Sequence, residues 1–332
     1  MKAARIHANG GPEQFRYEDA ELAPPGAGEV RVRHTAIALN FSDVNVRRGG
    51  FYMATPLKFP VILGNEAAGV IETIGPGVTG AGPGDRVAYV GTGRPFYEGT
   101  GSYAEARNVP AGCLIRLPDA ISDRQAAALM LKGLTASMVI NRLYRPKKGD
   151  AVLIHAAASG VGLLLTQWSK HLGATVLGTV GSRDKARIAA AHRCDHPILY
   201  READFAAEVR RLVPEGVAAV FDGVGKDTFV ASLDCVRPFG MLVNYGNASG
   251  HPPPIDLLLL SKKGSLSVNR PAISSYISDP ETLRAASAEL FDLVARGVLR
   301  VEIARAYALK DAAQAHRDLE ARAFAGAAVL LP

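Results

Sequence analysis

Two short polar stretches in the first quarter of the chain hold residue types that could take part in chemistry. The first, LNFSD, contains Asn40, and the second, GNEAAG, places Asn65 and Glu66 between glycines. A histidine in place of Asn65 would suggest part of a metal site, because imidazole is a common ligand of transition metals. An amide favours hydrogen bonding instead, so the role of these amides is the first question that the sequence raises.

A third stretch, VLIHAAASGVGLLLTQWSK, places a turn of small residues between an apolar strand and a helix. The small side chains let the backbone approach a pyrophosphate, and the helix would direct its free N–H groups and positive dipole end at that anion. The alternative is a tight turn without a ligand, because Ser159 departs from the strict glycine pattern. The stretch predicts a dinucleotide-binding loop with contacts from Ser159, Gly160, Val161 and Gly162.

The next predicted strand ends in GTVGSRDK, where selectivity between NADH and NADPH is usually decided. Gly181 and Ser182 occupy the position at which NAD-selective proteins place a carboxylate, and Arg183 and Lys185 follow. Small groups backed by cations accommodate a 2′-phosphate, so this segment predicts NADPH as the cofactor. Alternatively, the basic residues form only the solvated first turn of a helix.

The elements that must position these residues follow two patterns. The first 125 or so residues are rich in Gly and Pro and contain short β-branched runs, which predict strands joined by turns. A helix is predicted from about Asp123, with Ser122 as its cap. Apolar strands then alternate with helices, which predicts a doubly wound parallel sheet. The tail after this sheet shows no further βαβ unit and is assigned to the first domain.

Length and composition agree with an α/β protein of two domains. The chain has 332 residues, of which 48% are hydrophobic, and it contains no apolar run long enough to span a membrane, so the default expectation is a soluble cytoplasmic protein. Its three cysteines lie far apart, without zinc-site spacing. The net charge of +6 is spread along the chain, which does not indicate nucleic-acid binding.

Several motifs in the same order resemble those of the medium-chain dehydrogenase/reductase superfamily, and in particular its zinc-independent quinone oxidoreductases, the group that includes zeta-crystallin. The motifs are LNFSD, GNEAAGVIETIGPGV, LKGLT, HAAASGVG, GTVGSRDKA, FDGVGKDTF, NYGNASG and KGSLSVNRP. The resemblance implies a GroES-like β-rich catalytic domain and a Rossmann nucleotide-binding domain. We place the catalytic domain at residues 1–128 and 269–332 and the NADPH-binding domain at residues 129–268.

The resemblance also answers the question about the amides. Zinc-dependent members of the superfamily carry two cysteines and a histidine where this chain has Asn40, Asn65 and Lys132. Two amides and an ammonium cannot replace thiolate and imidazole ligands, so we predict no metal site. We expect Asn65 to keep a hydrogen bond that braces its loop, with a scaffolding role for Asn65 and Glu66.

Further cofactor contacts are implied by the resemblance alone. Lys185, Tyr200 and Arg322 would surround the 2′-phosphate, and Gly246, Asn247 and Arg270 would lie near the nicotinamide half. Each could instead be an ordinary surface or capping residue. The full set of cofactor contacts expected outside the phosphate loop is Asn40, Thr135, Gly181, Ser182, Lys185, Tyr200, Tyr245, Gly246, Asn247, Arg270 and Arg322.

Without a metal, hydrogen-bond donors must stabilise the charge that develops when NADPH reduces an acceptor. Asn40, Tyr52 and Lys132 are the expected donors, although Tyr52 could instead form an aromatic wall. The predicted reaction is hydride or electron transfer to a quinone. The alternatives are an NADPH-dependent alkenal or enone reductase and a non-catalytic NADPH- or RNA-binding protein. Asn45 and the glycine-rich segment 89–106 depart from the family pattern and leave the acceptor open.

The same resemblance implies a homodimer. The segment GMLVNYG is the expected edge strand of the nucleotide-binding sheet, through which two subunits would pair.

Overall fold

The computed structural model describes residues 1–49, 56–92 and 99–332, which fall into two compact units. The terminal unit comprises Met1–Leu131, Ile277–Phe291 and Ile303–Pro332. The central unit comprises Lys132–Tyr276 and Asp292–Glu302.

The elements of the described structure follow in chain order. Up to Met138 they are β1 (Lys2–Ile6), β2 (Phe15–Asp19), β3 (Glu29–Ala38), α1 (Phe41–Arg47), β4 (Val61–Ile62), β5 (Glu66–Ile74), β6 (Arg86–Val90), β7 (Ala106–Pro110), β8 (Leu114–Arg116) and α2 (Asp123–Met138). Next come β9 (Ala151–Ile154), α3 (Gly160–His171), β10 (Thr175–Val180), α4 (Arg183–Ala191), β11 (His196–Leu199), α5 (Phe205–Leu212), β12 (Val217–Asp222), α6 (Phe229–Cys235) and β13 (Val236–Asn244). The chain ends with α7 (Leu257–Lys262), β14 (Ser267–Asn269), α8 (Ile273–Tyr276), α9 (Pro280–Ala295), β15 (Ile303–Ala308), α10 (Ala312–Glu320) and β16 (Ala327–Leu331).

The terminal unit is built on two sheets. The smaller has the order β2-β1-β4, and the larger has the order β15-β16-β3-β5-β6-β8, with β7 also paired to β3. Strand β3 is central because it pairs with β5, β7 and β16, all antiparallel. Alternate residues of a strand face opposite sides of a sheet, and Val30, Val32 and Ile37 of β3 are completely buried. The core therefore lies against this strand.

The C-terminal segment completes the larger sheet and corrects one expectation. Strands β15 and β16 are parallel, with α10 between them in the chain, so they form a βαβ unit that we did not expect. Strand β16 then pairs antiparallel with β3. Exposed residues in β15 hide this unit in the sequence, because its burial pattern lacks the continuous apolar run of a buried parallel strand.

The central unit contains the predicted parallel sheet. Its strand order is β11-β10-β9-β12-β13-β14, and every neighbouring pair is parallel. All six residues of β12 are buried, as expected for a strand covered on both faces. Helix α3 buries Trp168 in the core. The prediction of a doubly wound α/β fold is confirmed.

The edge of this sheet differs from the prediction. GMLVNYG contributes to β13, which lies between β12 and β14 and is therefore an inner strand. The expectation that it forms the edge is wrong, and the short strand β14 occupies that position. The three residues of β14 are too few to give a clear strand signal in the sequence.

Within the described ranges, no helix is both long enough and apolar enough to cross a membrane.

Candidate functional site

The phosphate loop has the geometry that its sequence predicts. Helix α3 begins at Gly160, and Ser159 caps it by accepting a hydrogen bond from the Gly162 N–H at 3.1 Å. A Cβ atom on Gly162 would lie 2.3 Å from the carbonyl oxygen of Ala156, so only glycine fits there. The loop therefore brings the backbone close to the first turn of a helix, where an anion is favoured.

A buried histidine braces this loop. His155 follows β9 and makes two side-chain contacts, through Nδ1 with Thr179 Oγ1 at 2.9 Å and through Nε2 with Ser232 Oγ at 2.8 Å. Ser232 donates its hydroxyl proton to the Thr228 carbonyl oxygen at 2.7 Å, so His155 Nε2 carries the proton and Nδ1 accepts from Thr179. Burial lowers the pKa of His155, in keeping with a neutral imidazole. Thr179 Oγ1 also accepts the N–H of Ala156, which ties the loop to β10.

The predicted 2′-phosphate residues of the central unit meet where β10 ends. Ser182 caps α4 and accepts the Lys185 N–H at 3.3 Å. A Cβ on Gly181 would lie 2.9 Å from the Tyr200 hydroxyl oxygen, which places that tyrosine beside the strand end. The nearby carboxylate of Asp184 forms an ion pair with Arg187 of the same helix. The structure therefore brings Gly181, Ser182, Lys185 and Tyr200 together.

The ends of β12 and β13 carry two polar residues that the sequence analysis missed. Asn244 donates from Nδ2 to the carboxylate of Asp222 at 3.2 Å and to the carbonyl oxygen of Gly246 at 2.9 Å. Arg270 donates to the Asn244 backbone oxygen at 2.8 Å. Carboxyl ends of parallel strands are the usual place for ligand-binding residues, so the polar residue closing each apolar strand was the available signal.

Several predicted cofactor residues lie next to Asn244, after the end of β13. Gly246 packs against Gly223, since an added Cβ would lie 2.5 Å from its carbonyl oxygen. Asn247 is buried, and burial together with the charge of Asp222 raises the pKa of Tyr245. Arg270 contacts the loop that carries these residues and so supports its conformation.

In the terminal unit, Asn40 is held at both its main chain and its side chain. Asn40 Nδ2 donates to Glu66 Oε1 at 2.7 Å, while Glu66 Oε2 accepts the N–H of Leu131 at 2.6 Å. The Asn40 backbone N–H donates to Asp43 Oδ2 at 3.0 Å. Glu66 is almost completely buried. A buried carboxylate thus orients the Asn40 amide, which is compatible with the expected scaffolding role of Glu66.

Asn65 departs from the prediction. Its side chain is 1% exposed, and in the part of the chain that the structure describes neither Oδ1 nor Nδ2 has a hydrogen-bond partner. The expected bracing bond is made by the backbone instead, because the Asn65 carbonyl oxygen accepts the Gly91 N–H at 2.7 Å. The expectation of a side-chain brace is therefore wrong.

Three of the remaining predicted residues lie in described parts of the chain, and one does not. Lys132 and Thr135 lie on α2, and Lys132 is 9% exposed. Arg322 lies in the terminal unit just after α10, with φ of 55°. Tyr52 lies outside the described residues. Across residues 1–49, 56–92 and 99–332, no group of three or more His, Cys, Asp or Glu side chains is arranged to hold a metal ion.

Comparison with known families first defines the class of protein. Residues 26–119 match the alcohol dehydrogenase GroES-like domain, and residues 160–292 match the zinc-binding dehydrogenase family. A GroES-like domain joined to this nucleotide-binding domain is the architecture of the medium-chain dehydrogenases/reductases, as the motifs indicated.

Individual relatives narrow the assignment. The chain is 46% identical over its whole length to a quinone oxidoreductase of Pseudomonas aeruginosa, of which it covers 99%. It is 43% identical to a 2-haloacrylate reductase of a Burkholderia species, covering 100% of this chain and 99% of that protein. A crystal structure of Escherichia coli quinone oxidoreductase complexed with NADPH is 40% identical, with a TM-score of 0.94 and full coverage of both chains. The chain belongs to the quinone oxidoreductase family, which confirms the resemblance.

Proposed function

We propose that the protein is an NADPH-dependent quinone reductase. The reaction transfers a hydride from C4 of the nicotinamide to the quinone and takes up one proton from solvent, giving hydroquinone and NADP⁺. Its relatives include proteins named quinone oxidoreductases, and one relative was crystallised with NADPH. One observation carries the proposal: the buried Glu66 carboxylate holds the side-chain amide of Asn40. Asn40 stands at the position where zinc-dependent relatives have a metal ligand.

The central unit fits a dinucleotide phosphate. Gly162 lets the first turn of α3 pack closely against the Ala156 carbonyl, and that turn offers its N–H groups to an anion. Bound NADPH would supply the hydride. We assign the pyrophosphate to Ser159, Gly160, Val161 and Gly162, the 2′-phosphate to Gly181, Ser182, Lys185, Tyr200 and Arg322, and the nicotinamide half to Asn40, Thr135, Tyr245, Gly246, Asn247 and Arg270.

The domain roles follow the boundaries predicted from the sequence, although residues 269–276 and 292–302 lie in the central unit of the structure. Residues 129–268 bind NADPH, and residues 1–128 with 269–332 supply the acceptor chemistry. The parallel sheet and the phosphate loop of the central unit support the first role.

In the terminal unit, Asn40 donates a hydrogen bond to the acceptor oxygen on which charge develops. Glu66 restricts the rotation of the Asn40 amide, so little reorganisation is needed when that charge forms. Tyr52 and Lys132 are the other proposed donors. A conjugated acceptor spreads its charge over several atoms, so it needs less stabilisation of that charge than an isolated ketone, and hydrogen bonds can supply it.

A second acceptor class is an activated alkene. The relative named 2-haloacrylate reductase supports it, because that substrate is an alkene conjugated to a carboxylate. The fold, the cofactor and the role of Asn40 stay the same, and only the atom that receives the hydride changes.

Steady-state NADPH oxidation tests the proposal. Metal-stripped protein is assayed with 1,4-benzoquinone, 1,4-naphthoquinone, 9,10-phenanthrenequinone and an aliphatic enone, with NADH in parallel. Quinone turnover with a preference for NADPH is the expected result. If only the enone is reduced, the acceptor is an activated alkene and not a quinone. If NADPH binds but no acceptor is reduced, the proposal that the protein is a reductase is contradicted.

A cytoplasmic homodimer completes the proposal. The edge strand β14 lies in the same sheet as Phe239, which is 85% exposed, and Leu257 and Leu258 are 75% and 63% exposed. Exposed apolar residues beside a strand edge suit pairing with a second copy. Burial raises the pKa of the Cys194 and Cys235 thiols to about 12, so they are inert, as suits a reducing compartment.

Sedimentation of the Phe239→Glu variant tests the dimer. We expect monomers for the variant and dimers for the unchanged protein, and equal sedimentation of both as dimers would contradict this interface.

A further inference from the structure

A buried chain of polar side chains leads from helix α10 to Asn40 within the terminal unit. Arg47 Nη1 contacts His316 Nδ1 at 3.0 Å, and His316 Nε2 contacts the Tyr103 hydroxyl at 3.1 Å. Tyr103 donates to Asp43 Oδ2 at 3.0 Å, and the same oxygen accepts the Asn40 N–H at 3.0 Å. Arg47, Tyr103 and His316 are completely buried, and Asp43 is 1% exposed.

The direction of every bond in this chain follows from the chemistry of its groups. An arginine side chain can only donate, so His316 Nδ1 accepts and His316 Nε2 carries the proton. His316 Nε2 therefore donates to the Tyr103 oxygen, which leaves the Tyr103 proton for Asp43. Burial and the charge of Arg47 lower the pKa of His316 well below its usual value, which agrees with the neutral ring.

The far end of the chain is anchored firmly. Arg47 also donates from Nε to the Gly10 carbonyl oxygen at 3.0 Å and forms an ion pair with Glu320 of α10. A buried charge with several fixed partners has few alternative positions, because each movement would leave a polar group unsatisfied. Such a network contributes to positional accuracy more than to net stability.

Asp43 transmits this constraint to Asn40. Its Oδ2 atom accepts both the Tyr103 hydroxyl and the Asn40 N–H, so the tyrosine determines which way the carboxylate faces. Asn40 is the N-cap residue immediately before α1, and its side chain is held separately by Glu66. Loss of the Tyr103 hydroxyl would release the carboxylate to rotate and would shift the Asn40 backbone.

We infer that Tyr103 and His316 are positioning residues that act on the reaction through Asp43 and Asn40, although neither contacts the reacting atoms. The inference deepens the proposed function and rests on the role given to Asn40 there.

The chain offers a matched control for Tyr103. Tyr89 is also completely buried in the terminal unit, and its hydroxyl likewise contacts a histidine, His34 Nε2, at 2.9 Å. Its other partner is Ser102, at 3.0 Å. Removal of the Tyr89 hydroxyl eliminates a buried hydrogen bond between a tyrosine and a histidine but leaves the hydrogen bonds of Asp43 intact.

The test measures kcat and KM with 1,4-naphthoquinone, together with NADPH affinity, for four variants. We expect Tyr103→Phe to lower kcat about tenfold at unchanged NADPH affinity, and Tyr89→Phe to stay within about twofold. We expect Asn40→Ala to lose about 100-fold, and the Tyr103→Phe/Asn40→Ala double variant to lose no more than Asn40→Ala alone. Equal effects of Tyr103→Phe and Tyr89→Phe, or losses that multiply in the double variant, would overturn the inference.

A second readout separates this inference from the proposed function. In a TROSY spectrum, Tyr103→Phe should shift the backbone amide proton of Asn40, whereas Tyr89→Phe should not, whether or not any quinone is reduced. An unchanged Asn40 resonance in Tyr103→Phe would overturn the inference alone. An active Asn40→Ala variant would overturn the catalytic role of Asn40 instead.

If Tyr103→Phe does not fold, His316 supplies the alternative pair. His316→Gln keeps one acceptor and one donor and should retain kcat within about threefold, whereas His316→Leu should lose about tenfold. Equal kcat in the two His316 variants would count against the inference.

Discussion

The phosphate loop of the central unit and the Asn40 site of the terminal unit differ in how far along the chain their contacts reach. In the loop, Ser159 bonds a residue three positions away, and the most distant brace, from His155 to Ser232, spans 77 positions. In the Asn40 site, hydrogen bonds join residues 26, 65, 213 and 269 positions apart. A loop that binds a common anion can be made from neighbouring backbone groups, whereas a donor aimed at one oxygen needs support from many segments.

The largest expected effect tests the local character of the phosphate loop. Gly162→Val should weaken NADPH binding about 100-fold, because its Cβ would collide with the Ala156 carbonyl and displace the loop by an ångström or so. Fluorescence titration of NADPH measures this effect. Gly82→Ala is the control, since an added Cβ there meets nothing within 4 Å. Equal NADPH affinity in both variants would show that the loop does not hold the cofactor.

The next effect tests the long-range character of the Asn40 site. Glu66→Gln should lower kcat about 30-fold with little change in NADPH affinity, because the Asn40 amide and the Leu131 N–H both lose a charged acceptor. Stopped-flow hydride transfer is the measurement. Glu72→Gln, an exposed change on the same strand, serves as the control. If the substitution lowers only the affinity for NADPH, Glu66 supports cofactor binding rather than hydride transfer.

A smaller effect concerns cofactor selection at the start of α4. Lys185→Ala should weaken NADPH binding about tenfold and leave NADH binding unchanged, because only NADPH carries the 2′-phosphate. The loss should shrink at high salt. Arg187→Ala on the same helix is the control, because Arg187 already pairs with Asp184. An equal loss for NADH and NADPH would remove Lys185 from the 2′-phosphate site.

The smallest effect concerns pH. Burial lowers the pKa of His34 to about 4, and burial also lowers the pKa of His316. Unfolding restores the ordinary pKa near 6.5, so the unfolded chain binds protons that the folded chain does not. The contribution of each histidine to the free energy of unfolding is therefore complete above about pH 6.5. It falls as the pH drops towards 4, by up to about 1.4 kcal/mol per pH unit for each histidine.

Urea denaturation between pH 8 and pH 4 measures this dependence. His34→Gln should make the free energy of unfolding depend less steeply on pH below pH 6.5. The difference in the free energy of unfolding between this variant and the unchanged protein at pH 8 gives the cost of the substitution itself. An unchanged slope would mean that His34 does not titrate on unfolding in this range.

The predictions from sequence succeeded where the signal was local. The helix from Asp123 with its Ser122 cap, the helix after the phosphate loop and the parallel central sheet all depend on neighbouring residues or on a repeated pattern. They failed where partners were distant. The βαβ unit at the C-terminus and the edge strand β14 required knowledge of which strands pair.

The amino-acid sequence by itself determined the class of fold, the dinucleotide loop, the family and the absence of zinc-type ligands at Asn40, Asn65 and Lys132. Residue type and short-range spacing suffice for these, because backbone geometry and metal-ligand chemistry are local properties. Only the tertiary structure decided that Glu66 holds Asn40, that Asn65 braces its loop by the backbone, and that Tyr103 and His316 lead to Asp43. Directional contacts between distant segments form only when the whole chain has folded, so no short stretch of sequence encodes them.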